Sequence, residues 1–557
     1  MRSAARLLAV VLVVLFAAPA AFAAAERPLD PAVAPVATRS IERSEAEAIA
    51  RRIPSVRRAL AANPDSYLAS ERRNGRWSVK AWSGGRSSRQ TAEVIIDPAT
   101  GRVLETWTGF QAAWSMARGY PGAFGRSVNA PWIWVTLCVL FVLPFVDPRR
   151  PLRLLHLDLL VLVAFSVSLA FFNNANLGLS VPIVAPLLIY VVVRLAAIGL
   201  RRTPRPAAGL PLLVPWRWLA AATFFLIGLR LGLNIVDGNV IDVGYSGVIG
   251  ADRLAHGREL YGAFPTDNEH GDTYGPLLYL AYVPFELIWP WQGRWDDLPA
   301  AHAAAAGFDL ACIALLFQLG RRLRGPELGT VLAYAWCAWP FTVYATNSGV
   351  NDALPAALIL AAVLAAARPG ARGALAAAAG LTKFAALPVL PLFATHGLEF
   401  RGRLRGLALF AAGVMLTCAI AALLAFAHTD PRTVWDRTLG FQIDRDAPFS
   451  VWGLYGGGWK IGQGILQAVV VLFACAVPFL PRRRDVVGLA ALAGAILAAV
   501  QLVTTYWFYT YLLWFFPLAL VALLAGPGVG GLTGRAWGAA ARAPARSHPP
   551  AGPASSG

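Results

Sequence analysis

The chain is short of charge, short of acid and short of sulfur. Only 14% of its 557 residues are charged, and 31 acidic residues stand against 49 basic ones. With a mean hydropathy of +0.54, that composition excludes an ordinary water-soluble enzyme over most of the length. The five cysteines (Cys138, Cys312, Cys337, Cys418 and Cys475) all sit in apolar stretches, and none forms a CxxC pair. Disulfide frameworks and zinc ribbons are therefore not indicated, and the thiols read as small packing residues. His256 and His270 stand singly, without ligand spacing. There is no phosphate-binding GxxxxGK[ST] loop, no dinucleotide glycine fingerprint and no GxSxG elbow, so nucleotide-dependent chemistry on a cytoplasmic face is not indicated.

Long apolar runs take the place of those features. A bilayer helix needs about 20 apolar residues, and such windows recur at 132–146, 156–172, 179–200, 212–236, 301–320, 328–346, 354–367, 407–427, 461–480, 487–503 and 509–524. The run 374–393 carries Lys383 in its middle and reads as a hairpin of two short helices with the lysine at its tip. The run 274–291 holds Pro276, Pro284 and Pro290 and reads as a broken helix lying along the membrane surface. This threading places the arginine-rich turns on one side, as the positive-inside rule expects, and gives about thirteen crossings. The net charge of +18 is then a topology signal, and nucleic acid is not a partner. The fold class expected is a polytopic α-helical membrane protein spanning 131–526, with a small N-terminal α+β extracytoplasmic domain.

The ends differ from the middle. Arg2 and Arg6 precede an apolar run at 7–16, and Ala21-Phe22-Ala23 follows. Residues 1–23 read as a signal peptide or a first membrane helix. Residues 24–130 are soluble in composition. A helix is expected at 44–62, with a serine N-cap, then strands at 66–71, 77–82, 91–96 and 102–107, with a turn at Asp97-Pro98-Ala99-Thr100-Gly101. This helix, the Trp-Ser-Val-Lys-Ala-Trp strand and the Asp-Pro-Ala-Thr-Gly hairpin resemble the PepSY-type domain of exported bacterial proteins. The resemblance implies a regulatory or docking module; a folded spacer without activity is the other reading. Residues 527–557, rich in Ala, Pro, Gly and Ser, read as a disordered cytoplasmic tail.

Candidate chemistry concentrates in two loops expected on the outer face, 237–299 and 428–460. The stretch 237–286 alone holds eight acidic residues and only two arginines. Loops held by a rigid scaffold are where function concentrates. Asp242, beside a low-dielectric wall, suits a general base; capping the helix that follows is the alternative. Lys383 suits a lipid phosphate, against snorkelling to the interface. Arg445 suits a phosphate too, against pairing with Asp444 or Asp446. Asn351 and Asp352 could bind sugar hydroxyls or cap a helix. Asp309, mid-span, reads as a structural partner between helices. Asp267, Glu269, His270 and Asp272 could hold a divalent cation through hard oxygen ligands, but they fit no strict cation loop and read as a solvated acidic turn; no cofactor is required, and a divalent cation is an open alternative that is not indicated. The aromatics Tyr245, Tyr261, Tyr274, Tyr279, Trp452, Tyr455, Tyr506, Trp507 and Tyr509 are expected mostly as an interfacial belt, with a few stacking on sugars.

Several of these residues also carry a resemblance. Asp242-x-x-Tyr245, the GADRLAHGRELY run at 250–261 and Tyr274-Gly275-Pro276-Leu277 resemble the first outer loop of GT-C-type glycosyltransferases. They are most similar to the polyprenol-phosphate-dependent mannosyltransferases that make α-1,2 linkages. Gly349-Val350-Asn351-Asp352 and Gly380-Leu381-Thr382-Lys383, with Pro388 and Pro391, resemble that family's later motifs. The resemblance covers about 212–524. It implies Asp242 as catalytic base, Tyr245, Tyr274, Asn351, Asp352, Lys383 and Arg445 as substrate-binding residues, and a polyprenyl-phosphate hexose, mannose foremost, as donor. The acceptor implied is a glycolipid or envelope polysaccharide at the outer face of the cell membrane. A transporter or flippase of lipid-linked sugars and a non-catalytic membrane scaffold are the readings from other classes.

Overall fold

The computed structural model describes residues 40–525 except 74, 85–88, 120–123, 202–211, 398–402, 446, 481 and the side chain of 444. The segments read as a leader and as a tail lie outside the described residues. The described residues are mostly helical, with a small N-terminal antiparallel sheet and, among them, seven helices long and apolar enough to cross a membrane. These seven are Leu154–Asn173, Leu177–Gly199, Trp216–Val236, Pro299–Arg324, Arg403–Phe426, Trp459–Ala476 and Val486–Val503. Four shorter apolar helical segments, Pro131–Phe145, Ala353–Leu364, Phe384–Ala394 and Tyr509–Leu524, accompany them.

The N-terminal unit is a four-stranded meander. β1 (Tyr67–Arg73), β2 (Arg76–Trp82), β3 (Gln90–Ile96) and β4 (Val103–Thr108) pair in sequence order, all antiparallel. The β3–β4 turn forms as its residues require: Asp97 accepts from Ala99 N (2.9 Å) and Thr100 Oγ1 (2.8 Å), and Gly101 takes a left-handed φ of 67°. The expected single helix is two, Arg43–Arg52 and Pro54–Ala61. Pro54 holds Ile53 in an extended conformation and breaks the run. The helix begins one residue before Ser44, with Glu42 rather than a serine at its cap. Ala46, Ala50 and Val56 of the helices pack on Val79, Ala81, Ala92, Val94 and Ile96 of the sheet.

Two buried ion pairs lock the long helices. Asp309 on Pro299–Arg324 receives both bonds of Arg230 Nη1 (2.6 Å each) from Trp216–Val236 and one from Trp336 Nε1 (2.8 Å). Arg230 Nη2 also donates to the Cys337 carbonyl (2.7 Å). Asp309 is thus the interhelical partner its mid-span position suggests. Asp158 on Leu154–Asn173 takes Arg194 bidentately (2.8 and 2.9 Å) and Tyr190 Oη (2.7 Å) from the next helix.

The run 328–346 is not one helix. Trp339 turns extended before Pro340, separating Pro326–Ala338 from Pro340–Asn347. The run 374–393 breaks at Lys383 and doubles back: a Cβ on Gly380 would lie 2.4 Å from the Leu387 side chain. The run 274–291 forms a helix at Pro276–Glu286. Pro276 starts it rather than breaking it, and Pro284 lies inside it.

Breaking a buried pair on one side strands the other charge. Asp309→Ala should therefore destabilise the protein by about 3–5 kcal/mol, read as a lowered thermal midpoint in detergent. The double change Arg230→Met with Asp309→Leu should recover most of the loss. An unchanged midpoint in the single variant would show that the pair does not hold these helices.

Candidate active site

Three close backbone approaches build the site. The first brings 239–244 beside 347–351. Asn239 N donates to Asn347 O (2.9 Å), Ile241 N to Ser348 O (3.2 Å), and Asn351 Nδ2 to Val243 O (3.0 Å). Gly244 is required there, because a Cβ would stand 2.1 Å from the Gly349 carbonyl oxygen. The second approach presses Tyr274-Gly275-Pro276 against the end of helix Pro369–Thr382. Gly275 N donates to Thr382 O (3.2 Å), and a Cβ on Gly275 would sit 2.0 Å from Leu381 O. The third joins the two loops: Arg437 pairs with Asp272 (3.1 Å), Gln442 donates to Thr273 Oγ1 (2.7 Å), and His270 stacks on Phe441.

These contacts enclose a cavity of about 460 Å³. Asp242, Tyr274, Lys383 and Arg445, from four separate places in the sequence, all line it. Asp242 is the first residue of helix Asp242–Ala255, with Ile241 at the cap, so its side chain is not the N-cap. The carboxyl is open to the cavity yet walled in by protein. That enclosure pushes its pKa above the ordinary aspartate value, while the charges of Arg445 and Lys383 pull the other way and do not cancel it. Burial, helped by the Asp242 charge, also pushes the Tyr274 phenol well above its usual value, which keeps it a hydrogen-bond donor.

Lys383 is buried and paired, which rules out the snorkelling alternative. Its Nζ donates to Asp352 Oδ1 at 2.5 Å and lies over the rings of Tyr274, Tyr511 and Trp514 at 5.1–5.5 Å. Arg445 lies over Tyr506, with its Cζ 3.5 Å from the ring centroid, and its Nε has no partner among the described residues. The side chains of Asp444 and Asp446 lie outside the described residues. Asp242 is the one carboxylate among the described residues lining the cavity, beside two cations.

Three expected site residues do not line the cavity. Asp352 is fully buried, held by Lys383 and by Trp514 Nε1 (2.9 Å), and it orients the lysine. Asn351 is also buried and fastens the first turn of the Asp242 helix through Val243 O. Tyr245 turns away to Asp267 (3.3 Å) and packs against Trp291 and Trp295. Much of the expected aromatic belt is packed interior: Tyr245, Tyr261, Tyr279 and Tyr509 are all buried. The acidic loop folds as a compact unit on those rings, with Gly247 and Gly250 admitting Tyr282 and Tyr279. The acidic cluster splits as well. Asp272 is buried against Gly262 N (2.6 Å) and Arg437, and no group of three potential metal ligands converges among the described residues.

One wall was absent from the sequence reading. Ala113, Trp114, Ser115, Met116 and Phe124, from the connector between the small domain and the first apolar helix, line the same cavity. Arg118 fastens this connector to the sheet through a buried ion pair with Glu93 and bonds to the Gln111 (2.7 Å) and Ala112 (3.0 Å) carbonyls. Gln111 Nε2 reaches Ala175 O (3.1 Å), Asn347 Nδ2 reaches Gly125 O (2.9 Å), and Ser127 N reaches Asp237 Oδ2 (2.9 Å). The connector is tied at both ends. No protein-family model matches the chain, and no curated protein and no solved structure matches it either.

Burial works against the Glu93 charge, but its bonds to Arg118 and Ser78 and the Arg118 charge outweigh it and hold the pKa below the ordinary value. A depressed carboxylate contributes stability that is complete above its unfolded pKa, about 4.3. That contribution is lost as pH falls through the lower folded value. Amide hydrogen exchange across 110–119 should therefore stay protected at pH 7 and down to pH 5, and weaken below about pH 4. Glu93→Gln should show weaker protection already at pH 7. Equal protection in the variant would remove Glu93 as the anchor.

Proposed function

We propose that the protein is an inverting membrane glycosyltransferase that uses a polyprenyl-phosphate sugar. The observation that carries this reading is one carboxylate sharing a single cavity with two cations drawn from distant parts of the chain. The seven long apolar helices, the shorter apolar segments and the side-segregated arginines support a bilayer-embedded chain of about thirteen crossings. Both large loops would then lie on the outer face, with the N-terminal domain. An enzyme working there lacks nucleotide sugars, so its donor is lipid-linked.

In this reading the donor phosphate lies between Lys383 and Arg445. Lys383 supplies a point charge held in place by Asp352, and Arg445 supplies a planar fork braced on Tyr506. The polyprenyl tail runs along the apolar helices. Asp242 takes the proton of the acceptor hydroxyl as that oxygen attacks the anomeric carbon, and the C–O bond to the phosphate breaks on the opposite face. The departing phosphate keeps the electron pair and stays neutralised by the two cations. Tyr274 can donate to an oxygen of either substrate. The sugar proposed is a hexose, mannose first, and the acceptor a glycolipid or envelope polysaccharide. The reaction as written needs no metal.

A transporter of lipid-linked sugars is the competing class. It calls for charged groups on the translocation path near mid-bilayer. The mid-helix charges Arg230, Asp309, Asp158 and Arg194 are instead consumed in ion pairs with each other.

Asp242→Asn should lower turnover about 10²–10⁴-fold while donor binding stays intact. Turnover of the wild type should rise with pH to a plateau, with an acid limb above the ordinary aspartate pKa, because the base must be ionised. Asp252→Asn is the control: it lies on the same helix but pairs with Arg258, away from the cavity. Wild-type turnover in Asp242→Asn would exclude the aspartate as base, and an equal loss in Asp252→Asn would trace the effect to the loop's fold.

A further inference from the structure

We propose that the connector following the small domain, residues 110–119, is the acceptor subsite, with the Trp114 ring as the platform for a pyranose. The proposal rests on the transferase reading and adds to it where the acceptor sits and why the N-terminal domain is present.

The cavity has two chemically different sides. Lys383 and Arg445 give one side its charge. The connector gives the other Trp114, Ser115 and Met116: an aromatic face, a hydroxyl and a thioether, with no ionisable group among them. A neutral sugar hydroxylated at its edges and carbon-lined on its faces suits that side, because an indole offers an apolar face and no charge. Arg445, which lies over the Trp114 ring, marks the border between the two sides.

Trp114 is half-buried, braced edge-on by Phe449 (5.3 Å, 79°) and packed on Tyr506 (5.8 Å). The Arg445 guanidinium stands 5.6 Å from its ring centroid. A pyranose on Trp114 therefore lies next to the group assigned to the donor phosphate and in the same cavity as Asp242. Ser115 and Ala113 on either side are exposed, so the platform opens outward, where a polymer or glycolipid headgroup can extend. The Glu93–Arg118 pair and the Gln111 bond to Ala175 hold the platform rigid against both domains. The small domain thereby acts as the fixed support of a substrate wall. Trp114 positions the acceptor, and Asp242 remains the catalytic residue.

The test uses the full-length protein in nanodiscs, with methyl α-mannopyranoside and methyl α-glucopyranoside as probes. Saturation-transfer NMR is recorded in the Asp242→Asn background, so that no probe is consumed. Ring protons of at least one glycoside should be saturated. Trp114→Ala should reduce that signal at least about five-fold, Trp114→Phe should retain most of it, and binding of polyprenyl-phosphate mannose should change less than about two-fold in all of them. Ser115→Trp, at an exposed position beside the platform, should block the glycosides and spare the donor; it decides the matter if Trp114→Ala does not fold. Undiminished saturation in Trp114→Ala or in Ser115→Trp overturns the subsite, as does an absence of saturation by both glycosides, or an equal loss of donor binding. Transfer to octyl α-mannoside with an acceptor KM indifferent to Trp114 overturns the subsite and spares the transferase. Glycoside binding lost with Trp114, in a wild-type protein that transfers nothing, overturns the transferase and spares the subsite.

Discussion

The ion pair between Lys383 and Asp352 is the contact on which the site depends. It closes at 2.5 Å, out of solvent, under three aromatic rings. Each partner sits where a helix begins or ends: Asp352 immediately before Ala353–Leu364, and Lys383 immediately after Pro369–Thr382. Trp514, which also bonds Asp352, belongs to the last described helix. These two bonds to Asp352 thus tie two consecutive helices to a third that is distant in sequence. The Gly275 approach to Leu381 and the Asn351 bond to Val243 then bring the acidic loop to the same point. A buried pair of this kind is weak evidence for stability and better evidence for specifying one arrangement.

The arrangement solves an electrostatic problem. A base near neutral pH needs a raised proton affinity, and a phosphate site needs positive charge, yet positive charge depresses a neighbouring carboxylate. Here Asp352 balances much of the Lys383 charge, and Arg445 spreads its charge over Tyr506. Enclosure therefore still governs Asp242, whose pKa stays above the ordinary value. Removing Asp352 would leave the Lys383 charge uncompensated beside Asp242.

Local signals in the sequence locate most of the helical runs, the meander and four cavity residues, but not the breaks at Ile53 and Trp339. Apolar runs, turn residues, short motifs at Asp242, Tyr274 and Lys383, and the charge of Arg445 are all read within a few positions of themselves. What was not legible depends on contacts far apart in the chain. Tyr245 belongs to the same motif as Asp242, but its hydroxyl is taken by Asp267 and its ring by Trp291 and Trp295, partners that local spacing does not announce. Asn351 and Asp352 look like ligands in a linear motif and act instead as supports, because burial decides which polar groups meet a substrate. The aromatics looked interfacial because hydropathy cannot tell a membrane belt from the interior of a folded loop. Nothing local marks Trp114, whose place in the cavity arises only when the connector folds back on Tyr506, about 390 positions away.

The stereochemistry of the product tests the central claim most directly. A single ionised carboxylate acting as base, with the phosphate leaving from the opposite face, inverts the anomeric centre; two successive displacements through an enzyme nucleophile would retain it. Purified protein in lipid vesicles, given β-linked polyprenyl-phosphate mannose and octyl α-mannoside, should form an α-linked disaccharide, identified by the anomeric carbon–proton coupling in NMR. A β-linked product, or no disaccharide with an intact lipid-linked donor, would contradict the account.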